Sequence, residues 1–215
     1  MKRWLSYLGP IRLKTVDSSL HKDLHIALDS GKKVLHAGTV NYSYGPLQHI
    51  LEEGLRHYLP TATPQSILLL GLGAGSVVES LREKFLVSAP ITAVEIDPQM
   101  AEIAKTEFQI GRFPNVSIHI DSAENHLSSN PTHHDLIIVD LFFNQHIPAS
   151  CLTPSFFEQL YLHLQPKGTV LFNTFRDTFS KNNKNALTSF FEKKNCKITV
   201  LEKVGTTNDL FLISA

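Results

Sequence analysis

Apolar residues fall along this chain in two rhythms, and the change comes near residue 44. Before it, short runs mix apolar and polar positions: "GPIRLKTV" (9–16), "DLHIALD" (23–29) and "KKVLHAG" (32–38). Runs of this length and character predict strands. "DSG" between the last two is a turn signal, so those two are predicted to form a hairpin. Residues 1–43 are therefore expected to make a small N-terminal β region. From Tyr44 the pattern becomes helical, and "YGPLQHILEEGLRHYL" places Leu47, Ile50, Leu51 and Leu55 on one face. "PTATP" (60–64) reads as a linker.

Beyond the linker, apolar runs alternate with helical segments. The strands read "SILLLGL" (66–72), "ITAVEI" (91–96), "VSIHI" (116–120), "DLIIVDL" (135–141) and "GTVLFNTF" (168–175). Helices are predicted at about 76–86, 98–108, 122–128 and 153–164, the last with Thr153 as N-cap and Pro154 at the first helical position. This alternation means βαβ units and a mostly parallel sheet covered on both faces. After a helix near 180–194, "KITVLEKV" (197–204) and "DLFLISA" (209–215) are joined only by a short connection, so the last strand must run antiparallel. The expected fold class is α/β, doubly wound, with residues 44–215 forming a Rossmann-like domain closed by an antiparallel C-terminal hairpin. That closure is unusual for dinucleotide dehydrogenases, which makes an NAD-dependent oxidoreductase a distant reading.

Composition narrows the function classes. Twenty basic residues balance twenty acidic ones among 215, which gives no support for a nucleic-acid or anionic-membrane partner. Two cysteines, Cys151 and Cys196, are too few for a disulfide framework or a zinc site, and a reducing, cytoplasmic compartment is expected. The start does not look like a signal peptide, and no run approaches the roughly 20 apolar residues that span a bilayer. The eleven histidines show no metal-ligand spacing and read as solvated or core residues. No metal is expected.

Candidate chemistry gathers at predicted strand ends. Gly71, Gly73 and Gly75 follow a strand and open a helix. Glycines there permit a sharp turn and close approach of backbone to a ligand, and the helix N-terminus offers free N–H groups. The same glycines also serve purely structural turns. A P-loop is excluded for this segment, because no Gly-Lys-Ser/Thr follows. Glu95, with Ile96 beside it, ends the second parallel strand at the spacing of a ribose-binding carboxylate, while Asp97 before Pro98 suits a helix cap. Asp121 and Ser122 end the third strand, where a carboxylate can accept from an adenine amino group or can cap the next helix. Asp140 follows "LIIV" at the carboxyl end of the fourth strand, where open α/β sheets place ligands. Buried unpaired it would cost free energy, so it is expected to face the site. Phe142, Phe143 and Asn144 either wall an acceptor site, with Tyr44 closing it, or anchor a loop on the core.

"LLLGLGAGS", "AVEIDPQM", "HIDSAENHL", "HDLIIVDLF" and "LQPKGTVLFNTF" occur in that order. Together they resemble class I S-adenosylmethionine-dependent methyltransferases. "VEID", the strand-rich N-terminus and "LDSGKKVLHAGTVNYSYGPLQHI" resemble the spermidine-synthase-like branch, including the domain of that type in certain eukaryotic protein methyltransferases. The likeness covers about residues 24–215. It implies a seven-strand sheet with S-adenosylmethionine as cofactor: Gly71, Gly73 and Gly75 near its methionine part, Glu95 and Ile96 at the ribose, Asp121 and Ser122 at the adenine, and Asp140 near the sulfonium. It also implies a possible homodimer paired through the N-terminal sheet.

The chain departs from aminopropyltransferases where they carry acids. Ala74 stands where they have an Asp in the glycine loop, Phe143 where they have a second Asp after the fourth strand, and Val40-Asn41 near their acidic gate pair. Losing those carboxylates removes the complementarity that a polyamine site needs. Methyl transfer from intact S-adenosylmethionine to a small-molecule or protein acceptor is therefore the expected function, with Asp140 as catalytic residue wherever a proton must leave. Aminopropyl transfer with an altered amine site, and a non-catalytic cofactor-binding chain, are the alternatives.

Overall fold

Ile67–Leu70 (β5) is apolar at every position, and the fold uses both of its faces. Alternate side chains on a strand point to opposite sides. Accordingly Ile67 and Leu69 join one hydrophobic cluster and Leu68 and Leu70 the other. The computed structural model describes residues 2–18, 20–21, 23–37, 40–43, 46–143 and 145–215.

β5 is central in a seven-stranded sheet. Its neighbours are Ile91–Glu95 (β6) and then Val116–Ile120 (β7) on one side, and His134–Val139 (β8) and then Leu164–Phe175 (β9) on the other. All four of these junctions are parallel. Asn208–Ser214 (β11) pairs antiparallel with β9, and Lys197–Val204 (β10) pairs antiparallel with β11 at the sheet edge. The C-terminal hairpin is thus present as its short connection required.

Helices cover both faces. Pro46–Tyr58 (α2, after a short α1 at Lys2–Leu5), Ser76–Glu79 (α3, continued by a π-helical turn to Lys84) and Pro98–Thr106 (α4) pack on one face through Leu55, Val78 and Ile103. Ala123–Ser129 (α5), Pro154–Leu162 (α6) and Lys181–Lys193 (α7) pack on the other through Leu127, Phe157 and Phe191. Thr153 accepts from the Phe156 N–H at 3.2 Å and caps α6, with Pro154 in its first turn.

The N-terminal sheet holds one strand more than the pattern predicts. Ile11–Val16 (β1), Leu24–Asp29 (β2), Lys32–Ala37 (β3) and Val40–Ser43 (β4) form an antiparallel sheet in that order. β4 is only four residues long and its run mixes polar with apolar positions, so periodicity does not reveal it. This sheet is not free of the main sheet. Leu24, Ile26, Val34 and Leu35 belong to the same cluster as Ile67 and Leu69. Lys14 and Lys33 also reach Glu107 beyond α4, at 2.8 and 3.2 Å. Among the described residues, no helix is long and apolar enough to cross a membrane, and no group of three His, Cys, Asp or Glu side chains could hold a metal ion.

Candidate active site

The strand order reverses direction between β5 and β8, and the crevice outside the carboxyl ends of strands at such a point is where α/β sheets bind ligands. A cavity of about 870 Å³ opens there. Two backbone bonds align its rim: Gly71 N–H donates to the Val94 carbonyl at 3.0 Å, and Asp140 N–H to the Leu70 carbonyl at 2.9 Å. Gly71 has φ +91°, and a Cβ on it would stand 2.2 Å from the Asp140 carbonyl oxygen. Glycine is therefore what lets β5 and β8 converge. Gly73 also lines the cavity. Gly75 does not: it precedes α3 with φ +89°, and a Cβ there would meet the Ile110 side chain at 2.3 Å. Its role is packing of the loop on the Ile110 turn.

Glu95 is buried at the end of β6 and lines the cavity. Its Oε2 accepts from Gly73 N–H at 2.9 Å and its Oε1 from Asp97 N–H at 3.0 Å. Burial raises its pKa, against the pull of those two backbone donors. Each oxygen retains a lone pair for a ligand hydroxyl. Ile96 is exposed at the cavity wall. Asp97 turns away from this role, being 0% exposed and capping α4 through Gln99 N–H at 2.9 Å.

Asp121 and Ser122 both line the cavity. The Asp121 N–H donates to the Glu95 carbonyl at 3.0 Å, and its Oδ1 accepts from Ser122 N–H at 2.8 Å. Ser122 caps α5, accepting from Asn125 N–H at 3.1 Å. Beside them, burial pushes the Cys151 thiol up to about 12, so it lines the cavity as an apolar group rather than a nucleophile.

Asp140 is a second carboxylate perturbed by burial. Burial raises its pKa from 3.8 to about 6, and one hydrogen bond from Asn173 Nδ2, at 2.9 Å, offsets part of that. The bond is the end of a chain. Thr207 Oγ1 donates to Asn208 Oδ1 at 2.7 Å, and Asn208 Nδ2 donates to Asn173 Oδ1 at 2.9 Å. All four residues line the cavity. Sequence reasoning missed Asn173, Thr207 and Asn208. Asn173 did carry a signal, a polar residue inside the apolar run "VLFNTF", because burial there demands a partner.

Phe142 and Phe143 line the cavity, and Phe143 is 46% exposed, so it is a wall residue and not a core anchor. Tyr44 and Asn144 lie outside the described residues. Ala74 is fully buried in the core and does not line the cavity, so the charge argument at the acceptor side rests on Phe143.

The structure also adds a segment that no motif marked. Between β1 and β2, Leu20 and His21 line the cavity. Ser18 Oγ donates to Asp97 Oδ2 at 2.5 Å and His21 Nδ1 to the same oxygen at 2.9 Å. The carboxylate can only accept, so the His21 proton sits on Nδ1. Burial would raise the Asp97 pKa, but the bonds from Ser18, His21 and Gln99 outweigh it and hold the pKa below the usual value. The His21 ring stands 5.5 Å from that of Phe143. His21 is buried, as the core reading of the histidines allows, and it also lines the cavity; its partner is 76 residues away in sequence.

The charged side chains lining the cavity, among the described residues, are Glu95, Asp121, Glu124 and Asp140, with no lysine or arginine. Such a site suits a ligand carrying hydroxyls, amines or a cationic centre, and disfavours phosphates.

Residues 67–168 match the family described as methyltransferase domain. Over 165 residues the chain is 28% identical to a polyamine aminopropyltransferase of Vibrio vulnificus, covering 72% of this chain and 54% of that one. Over 105 residues it is 33% identical to the eEF1A lysine and N-terminal methyltransferase of Mus musculus, covering 46% of this chain and 15% of that one. The chain thus spans about half the length of the bacterial relative and a smaller share of the mouse one. A probable spermidine synthase from Corynebacterium glutamicum superposes with a TM-score of 0.68 at 20% identity, covering 95% of this chain and 79% of that one. The chain shares the fold of that structure, a mostly parallel α/β sheet closed by an antiparallel hairpin, and the methyltransferase-domain match covers just under half of this chain.

Proposed function

We propose that this chain is an S-adenosylmethionine-dependent methyltransferase acting on a small-molecule or protein acceptor. One observation carries the reading: Glu95, Asp121 and Asp140, at the ends of β6, β7 and β8, open into one cavity with Gly71 and Gly73 at its base and, among the described residues, no lysine or arginine on its walls. Glu95 accepts from the ribose hydroxyls, Asp121 with Ser122 holds the adenine, and the glycine turn leaves room for the methionine part. Such a cofactor supplies a methyl group already activated on a sulfonium. The protein's task is then orientation, water exclusion and charge placement.

Asp140 serves that task at the reacting end. Its carboxylate, fixed by Asn173, faces the positive centre, and Phe142 and Phe143 exclude water beside it. The acceptor's lone pair forms the new bond to the methyl carbon while the carbon–sulfur pair returns to sulfur. Where the acceptor must also lose a proton, Asp140 is placed to take it, with a pKa of about 6.

The likeness to a polyamine aminopropyltransferase over 72% of the chain favours a second reading, aminopropyl transfer from the decarboxylated cofactor. Phe143 opposes it, because an apolar ring stands where a cationic amine needs an acid. Calorimetric titration with intact and decarboxylated S-adenosylmethionine decides. Binding of the intact form alone, weakened in Glu95→Ala, supports methyl transfer. Preference for the decarboxylated form selects the second reading, and binding of neither leaves a non-catalytic chain.

A further inference from the structure

Three neighbouring strands carry a row of polar side chains at the end of one apolar face of the sheet. On β8, β9 and β11 that face holds Ile138, Leu171 and Leu210, which share one hydrophobic cluster. Strand residues two apart share a face, so Asp140, Asn173 and Asn208 continue it. Asp140 and Asn173 follow the paired Val139 and Phe172, and Asn208 pairs with Phe175. Asn173 and Asn208 are 5% and 2% exposed. Apolar residues would fill such positions at lower cost, because a buried amide must find partners for its donors and its acceptor.

Asp140 gives the row a direction. An ionised carboxylate can only accept, so Asn173 turns its NH2 group toward Asp140 and its carbonyl oxygen toward Asn208. Asn208 then turns its own NH2 group toward Asn173, and Thr207 donates its hydroxyl proton to the Asn208 oxygen at 2.7 Å. Every bond points toward Asp140 Oδ1. With Oδ1 engaged, Oδ2 is the oxygen left for the cavity that Asp140 lines.

Thr207, the first donor, is itself held in place. Its carbonyl accepts from the Arg176 N–H at 2.9 Å. Asp209 accepts from the Lys203 N–H at 2.9 Å and pairs with the Arg176 guanidinium at 3.3 Å. The turn between β10 and β11 is thereby pinned to the end of β9. Among the described residues, the titratable side chains that share the cavity with Asp140 are His21, Glu95, Asp121, Glu124, His146 and Cys151. The Asp140 pKa is set by burial, which raises it, and by the Asn173 bond, which lowers it.

We infer that Asn208 and Thr207, both on the C-terminal hairpin, are positioning residues for Asp140: by locking the Asn173 amide they keep the carboxylate ionised and aim its second oxygen at the ligand. On the methyltransferase reading, which this presupposes, the hairpin that closes the sheet also sets the charge facing the sulfonium.

The test follows the Asp140 carboxyl by carbon-13 NMR in the full chain labelled at its aspartates, with the signal identified by its loss in Asp140→Asn. Asn208→Leu removes the middle link. Thr207→Val removes the first donor at a half-buried turn position, where the fold tolerates it, and Thr207→Ser keeps that donor. The titration midpoint is expected to rise by about one pH unit in Asn208→Leu and about half of one in Thr207→Val, with Thr207→Ser restoring the wild-type value. At pH 6.5 a rise from about 6 to about 7 cuts the ionised fraction about threefold. The calorimetric preference for S-adenosylmethionine over S-adenosylhomocysteine should fall in step. A midpoint in Thr207→Val within about 0.2 pH unit of wild type, or an equal rise in Thr207→Ser, would overturn the inference, as would a moved midpoint with an unchanged preference. Failure of the methyltransferase reading has a different signature, the absence of calorimetric binding of S-adenosylmethionine to the wild-type protein whatever the carboxyl titration shows.

Discussion

Asp140 and Glu95 are both carboxylates with raised pKa values, yet their surroundings assign them different work. Asp140 is protonated below about pH 6 and negative above it. A sulfonium gains from that charge, whereas the neutral thioether of S-adenosylhomocysteine does not. The preference for S-adenosylmethionine over S-adenosylhomocysteine is therefore expected to grow as pH rises through about 6, and calorimetry across pH 5–8 should show the trend flattened in Asp140→Asn. The sign for folding is opposite. A pKa raised in the folded state contributes stability present below 3.8 and lost as pH rises through about 6. Glu95→Ala should weaken binding of either ligand by roughly 10–100-fold, the worth of a charge-assisted hydrogen bond or two, with less loss in Glu95→Gln. Glu95 and Asp140 were legible in sequence because each ends an apolar run, where a charge must have a reason. Asn173 was half legible. His21 was not, since nothing local sets it apart from ten other histidines.

At the scale of elements, glycine turn and helix caps carry the argument. Gly71→Ala would place a methyl group against the Asp140 carbonyl in a left-handed conformation. A loss of at least ~2 kcal/mol is expected, which at this length lowers Tm by roughly 4–8 °C. Gly111→Ala is the control: its Cβ meets nothing within 4 Å, and the change should stay within about 0.5 kcal/mol. Thermal unfolding of the two variants side by side checks both. The helix starts at Pro98 and Pro154 were readable because Asp97 and Thr153 cap them by bonds to residues two or three positions on. β4 was not readable, because what makes it a strand is its pairing with β3 and not its own composition.

At the scale of the whole molecule, the N-terminal sheet and the parallel sheet share one hydrophobic cluster, and Ser18 and His21 tie the first to Asp97 beside the cavity. A ligand filling that cavity should stabilise both together. S-adenosylmethionine at 100 times its Kd adds about 2.7 kcal/mol, a rise of roughly 5–10 °C in Tm, while NAD should give none. A thermal shift assay measures both, and a rise with NAD would reject the cavity assignment.

From α2 onward, order, type and direction of the main strands and helices followed from the sequence alone, because they rest on periodicity, caps and the length of connections, all interactions within a few residues. So did the placing of acids at strand ends. Only the tertiary structure decided which of those acids share a cavity, that Asn173, Asn208 and Thr207 line up behind Asp140, that His21 meets Asp97, and that Ala74 is core while Phe143 is wall. Each of these depends on side chains far apart in sequence and on the facing direction of a strand end or turn. Local pattern carries no record of either.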